Sequence, residues 1–165
     1  MDPLHEIIGA LAAAPTLDAL TSILREKARV SIGADGVSFV MREGEMCYYV
    51  DEDAIAPLWK GRRFPIGACI SGWVMRHGQM AVVPDIYADP RVPHDAYRDT
   101  FVKSLVMAPA PQVAPLAAMG AYWAVRREPS WNEQYTLQAL ANGAGAALRN
   151  MKLLEELRQT PARTE

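Results

Sequence analysis

Cys47 and Cys69 are the two thiols in a chain of 165 residues. They form no Cys-x-x-Cys pair and no metal-ligand spacing, so no zinc site is expected from them. Cys69 stands at the start of a helical segment, Cys69 to His77, which Gly78 stops. The first turn of a helix favours a thiolate, which makes Cys69 a candidate redox sensor. The commoner fate of a free cysteine is a small buried hydrophobe, and that is the expectation at this strand-to-helix joint. His77 closes the same helix, where a cation suits the dipole better than haem ligation would explain it. His94 follows Pro93 and precedes Asp95 near the start of a second small helix. It is either a donor facing a ligand or a solvated loop residue. Asp85, Asp89 and Arg91 read as loop-fixing residues, because Asp accepts backbone N–H groups in turns and Arg braces a carboxylate. There is no Ser/His/Asp relay, no catalytic carboxylate pair and no phosphate-cradling glycine loop; Gly67 to Gly72 is not a nucleotide motif. No catalytic residue and no metal site is therefore expected.

The aromatic residues point to binding. Trp59, Trp73, Tyr87, Tyr97, Phe101 and Trp123 fall in or beside the stretch from Phe64 to Pro111 and the strands beneath it. That stretch joins short helices by a loop with Pro84, Pro90 and Pro93, and long loops in a compact domain serve as lids or binding walls. It reads as the cover of a small pocket whose candidate wall is Phe39, Trp59, Cys69, Trp73, Asp85, Tyr87, His94, Tyr97, Phe101 and Trp123. Pockets are lined by such side chains, but an aromatic cluster that fills its own core is the commoner arrangement.

The elements that position these residues follow from periodicity. Leu4, Ile7, Ile8 and Leu11 form one helical stripe; Thr16 caps a second helix that Gly33 and Gly36 close. Val37, Phe39 and Met41 alternate with polar or smaller residues as a strand, and Glu43-Gly44-Glu45 turns into a return strand, Met46 to Val50. Asp51 to Ala54 reads as a loop. Two further strands, Leu105–Pro109 and Met119–Val125, are joined by a segment whose prolines interrupt a regular ladder. Strands joined to neighbours, with helices gathered at both ends of the chain, give an α+β antiparallel sheet.

Ser130 and Glu133 form a capping box for a long terminal helix, about 131–158. Leu137, Leu140, Ala144, Ala147, Met151 and Leu154 follow 3,4,3,4,3 spacing along it. This narrow seam with small central residues is a candidate dimer interface. Its first half can equally pack on the domain's own sheet. Its continuation through Leu153, Leu154 and Leu157 favours a partner helix. Residues 1–158 read as one domain and 159–165 as a tail or linker.

The totals limit the alternatives. A formal net charge of −2, from 17 basic and 19 acidic residues, leaves no footprint for nucleic acid or a membrane surface. No apolar run approaches the roughly 20 residues of a membrane span. The N-terminus lacks a basic n-region, so a signal peptide is not expected, and two unpaired cysteines suit a reducing, cytoplasmic setting.

Several motifs together resemble the GAF domain, over nearly the whole chain. They are Asp35-Gly36-Val37-Ser38-Phe39-Val40; Trp59-Lys60-Gly61 with Phe64-Pro65; Ala68-Cys69-Ile70-Ser71-Gly72-Trp73; Pro84-Asp85-Ile86-Tyr87-Ala88-Asp89-Pro90-Arg91; Ser104-Leu105-Val106-Met107-Ala108-Pro109; and Gly120-Ala121-Tyr122-Trp123-Ala124. The resemblance is to the GAF modules of bacterial sensor histidine kinases. It implies a PAS-related antiparallel sheet of five or six strands, terminal helices on one face and a pocket on the other. It also implies a homodimer, and a signal passed along the last helix to a histidine kinase output in cis or in trans. Relatives bind cyclic nucleotides, linear tetrapyrroles, haem or small metabolites, and some bind nothing. The Asn-Lys-x-Asp motif of cyclic-nucleotide GAF domains is missing, and neither cysteine is followed by His, as bilin attachment commonly requires. Cyclic nucleotide and covalent bilin are therefore not expected, and the cofactor stays open. The free-methionine sulfoxide reductase branch needs several cysteines in a set arrangement, against which Cys47 and Cys69 stand in unrelated contexts. Three functions are carried forward: a sensory dimerising module, a ligand-free structural spacer, and a redox switch at Cys69.

Overall fold

Thr16 sets the first boundary. Its hydroxyl accepts the Ala19 N–H and starts α2 (Leu17–Ile32) after a short α1 (Pro3–Ala12). Gly33 ends α2 in the left-handed conformation at φ 80°, which a glycine reaches without cost. The computed structural model describes residues 3–160. After α2 come β1 (Gly36–Glu43), β2 (Met46–Ala54), β3 (Arg63–Pro65), a 3₁₀ turn at Ile66–Ala68 and α3 (Ile70–His77). β4 (Ala81–Val83), a second 3₁₀ turn at Ile86–Ala88, α4 (His94–Tyr97), β5 (Ser104–Ala110), β6 (Ala117–Trp123) and α5 (Trp131–Gln159) complete the order. The strands form one antiparallel sheet in the order β3-β2-β1-β6-β5-β4.

The sheet has two buried faces. α1, α2 and α5 cover one, over Val37, Phe39, Val106, Ala108, Met119, Ala121 and Trp123. The 3₁₀ turn, α3, α4 and the connecting loops cover the other, over Val40, Cys47, Tyr49, Leu105, Met107, Ala118 and Tyr122. Alternation along a strand assigns each residue its face. A bulge on β2 breaks that alternation: Phe39 pairs with Asp51 but Val40 pairs with Tyr49. Val50 is the extra residue, so Asp51 faces α2 while Tyr49 and Cys47 face the cover.

The bulge also explains why β2 runs through 51–54, where the sequence suggests a loop. Each acidic residue there has a partner. Asp51 is paired with Arg25 and Lys60, and Asp53 with Arg29. Glu52 accepts the backbone N–H groups of Leu58, Trp59 and Lys60 at 2.8–2.9 Å. The β5–β6 ladder likewise continues through Pro109, opposite Ala118. β4 pairs no further than Met107, so no β4 bond is forgone at Pro109.

The terminal seam divides in two. Leu137, Leu140, Ala144 and Ala147 are fully buried within their own chain. They are not a surface for a second copy, which corrects the first half of the expected dimer interface. The small residues among them serve internal packing: a Cβ on Gly143 would meet the Ile8 carbonyl of α1, and one on Gly145 would collide with Pro111. Met151 is half-buried, and from Lys152 onward α5 is exposed. Residues 161–165 of the expected tail lie outside the described residues.

Candidate functional site

The space beneath the cover is built from three tyrosines, a tryptophan and two serines. Glu52 fixes the turn that inserts Trp59, whose indole N–H donates to the Ala96 carbonyl at 2.9 Å. The Trp59 ring lies 4.6 Å from Tyr97 and 5.5 Å from both Tyr49 and Tyr122, centroid to centroid. From the sheet, the Tyr122 hydroxyl reaches Ser38 Oγ at 2.6 Å and the Tyr49 hydroxyl reaches Ser71 Oγ at 3.3 Å. Tyr97 is buried, and its hydroxyl has no hydrogen-bond partner among the described residues. Burial pushes all three phenols above their ordinary range, so they stay protonated. A crevice of about 10 Å³ remains beside Tyr49, Trp59, Phe64, Cys69 and Tyr97. That is about the volume of one water and far below the several hundred Å³ of a ligand pocket.

The expected wall residues separate into three groups. Trp59, Cys69, Tyr97 and Phe101 meet beneath the cover. Trp73, Asp85, Tyr87 and His94 lie in its outer layer. Trp73 stacks on His77 at 4.4 Å and carries the Arg91 guanidinium on its ring. Asp85 accepts the Tyr87 N–H and an Arg126 contact, Asp89 holds Arg91, and His94 Nε2 lies 3.1 Å from the Asp89 carbonyl. These contacts pin the loop. Phe39 and Trp123 belong to the opposite face: odd-numbered positions of β1 and β6 point to the helices, and the Trp123 indole donates to the Gly33 carbonyl there. Neither residue can line a pocket under the cover. Tyr49, Tyr122, Ser38, Ser71 and Glu52 were the missing members. Tyr122 alternates with Trp123 and was findable by parity, as was Tyr49, which the unbroken register from the hairpin turn sets opposite Val40.

The two cysteines are not in unrelated contexts. Cys47 on β2 and Cys69 at the N-cap of α3 face each other with sulfurs 3.0 Å apart. Ser71 Oγ lies 3.3 Å from Cys69 Sγ. The Cys69 thiol is shifted below its ordinary value. The Cys47 thiol is the largest cause, followed by Ser71, the Gly72 amide and Arg76, against the cost of burial. The Cys69 sulfur makes no full capping hydrogen bond, so the amide acts as a nearby partial positive charge. Cys47 moves the opposite way, held protonated by its bond to Cys69 and by burial. Cys69 also lines an outer groove of about 230 Å³ between α3 and the Pro90–Pro93 segment.

Sequence comparison agrees with this architecture. The profile of the GAF domain matches residues 14–149.

The chain belongs to the GAF family.

No curated protein matches its sequence. Solved structures similar to this GAF domain include the GAF domain of a phosphoenolpyruvate-protein phosphotransferase from Coxiella burnetii, at 14% identity and TM-score 0.78, covering 93% of this chain and 94% of that one. Free methionine-R-sulfoxide reductase from Neisseria meningitidis, in complex with its substrate, is similar at 16% identity and TM-score 0.76, covering 92% and 89%. The GAF domain of a two-component sensor histidine kinase from Bacillus halodurans is similar at 14% identity and TM-score 0.72, covering 86% and 99%. At these identities the likeness is one of fold. Among the described residues, no helix is long and apolar enough to cross a membrane.

Proposed function

We propose that this GAF domain is a regulatory module that self-associates through the free end of α5 and relays a signal along that helix to a histidine kinase-type output, in cis or in trans. The observation that carries this reading is the overhang of α5. Beyond Met151 the helix leaves its own core, yet Leu153, Leu154 and Leu157 stand 51%, 53% and 71% exposed on it. A few isolated turns are marginal in water and gain stability from packing an apolar face. A second copy of the same helix supplies that face, and parallel pairing sends both C-termini to one output. Truncation after Asn150 tests the reading: the full chain sediments as a dimer and the truncated chain as a monomer with unchanged fold. A truncated chain that still dimerises contradicts it.

The tight interior favours a second reading for the input side. With about 10 Å³ left beneath the cover, a ligand held between cover and sheet requires Trp59 and Tyr97 to move. With Trp59 and Tyr97 in place the domain works as a closed dimerising spacer. A thermal-shift screen with nucleotides, haem and bilins separates the two, since a ligand at about 100 times its Kd adds about 2.7 kcal/mol.

A further inference from the structure

We propose that Cys47 and Cys69 form a reversible dithiol–disulfide pair that reacts with a hydroperoxide, Cys69 as the attacking thiol and Cys47 as the resolving one. The proposal stands on three observations and does not depend on how α5 associates. The two sulfurs are 3.0 Å apart, although they come from β2 and from the start of α3. A disulfide needs them about 1 Å closer, within the reach of small side-chain adjustments. Cys69 forms a wall between the outer groove and the inner crevice, so an oxidant in the groove meets Cys69 and not the fully buried Cys47. Tyr97, whose buried hydroxyl has no partner among the described residues, lines the same crevice as Cys69.

The chemistry balances with a hydroperoxide as oxidant. The Cys69 thiolate attacks the distal peroxide oxygen, the O–O bond breaks, and the alkoxide leaves with the proton shed by Cys69 as an alcohol, or as water from hydrogen peroxide. Cys69 is then a sulfenic acid. The Cys47 sulfur attacks Cys69 Sγ, the S–O bond breaks, and hydroxide leaves with the Cys47 proton as water. The sum is two thiols and one hydroperoxide giving a disulfide, an alcohol and water. A dithiol reductant returns the two electrons and two protons. The direction of attack follows from access, because Cys69 borders the outer groove while Cys47 is fully buried, and the Gly72 amide and Arg76 favour the thiolate at Cys69. The consequence for the fold is local. The bond ties the start of α3 to β2 and draws Cys69 from Ser71, whose hydroxyl also meets Tyr49.

The test uses the reduced full chain and hydrogen peroxide, with alkylation in denaturant and peptide mapping. The expected product is one intramolecular Cys47–Cys69 disulfide, restored to two alkylatable thiols by dithiothreitol. C47S accumulates a dimedone-reactive sulfenic acid at Cys69, and C69S leaves Cys47 unreactive. With iodoacetamide on the native chain, Cys69 is modified at least tenfold faster than Cys47 at neutral pH. Two free thiols after peroxide, disulfides only between chains, or faster reaction at Cys47 overturns the proposal. If either variant fails to fold, the disulfide map and alkylation order of the unaltered chain decide.

Discussion

The Tyr122 hydroxyl lies 2.6 Å from Ser38 Oγ at the centre of the space beneath the cover, while Tyr97, in contact with the same indole, has a hydroxyl with no partner among the described residues. Two buried phenols therefore make opposite contributions. Tyr122→Phe leaves Ser38 unpaired and is expected to cost about 1–2 kcal/mol; Tyr97→Phe removes an unsatisfied group and is expected to be neutral or to stabilise by up to about 1 kcal/mol. Urea unfolding of both variants checks the signs, and a clear loss for Tyr97→Phe would mean its hydroxyl is satisfied.

Trp59 is the plug of that space. It is 2% exposed and held by Glu52 through its own backbone and those of its neighbours. Trp59→Ala is expected to cost about 3–5 kcal/mol, the range for a large aromatic removed from a packed core. Glu52→Ala frees three backbone donors at once and is expected to cost about 2–3 kcal/mol. Because the two share one turn, the double variant should lose less than the sum, as a double-mutant cycle would show.

Asp51 gives the fold a pH dependence of predictable sign. Burial raises its pKa, but Lys60 and Arg25 more than offset this and hold the carboxyl below its ordinary value. The unfolded chain therefore binds the proton more readily than the folded one as pH falls. The stabilisation is full above about pH 5 and fades as pH drops through the folded pKa. Asp51→Asn should be less stable than the unaltered chain at pH 7, with the gap closing in acid. A gap independent of pH would assign the loss to packing.

The two halves of α5 should respond differently to substitution. Leu140→Ala removes a fully buried side chain and is expected to cost about 2–5 kcal/mol. Leu154→Ala lies on the overhang and should change monomer stability by no more than about 0.5 kcal/mol while weakening self-association. Chemical denaturation at low concentration separates the two effects.

Much of the architecture was legible from local signals. Thr16, Gly33, Gly78 and the Ser130–Glu133 box each acts on its own helix end, so each could be placed without tertiary information. The motifs from Asp35 to Ala124 led to the family. What failed depended on distant partners. The bulge at Val50 is invisible to strand periodicity, and the acidic stretch 51–54 looks like a loop until Arg25, Arg29 and Lys60 are brought to it. The seam on α5 has the spacing of a coiled coil, but that spacing serves α1 and the sheet as well as it would serve a second copy. Cys47 and Cys69 could be paired only once the position of α3 over β2 was known.

The central claim is that the last turns of α5 pair in parallel between two copies. Leu154→Cys, placed in a chain whose own thiols are Cys47→Ser and Cys69→Ser, tests it most directly. Mild oxidation should convert that variant to a covalent dimer joined at position 154, with Trp131→Cys in the same background giving none. Failure of position 154 to cross-link in a chain that retains its fold would contradict the account.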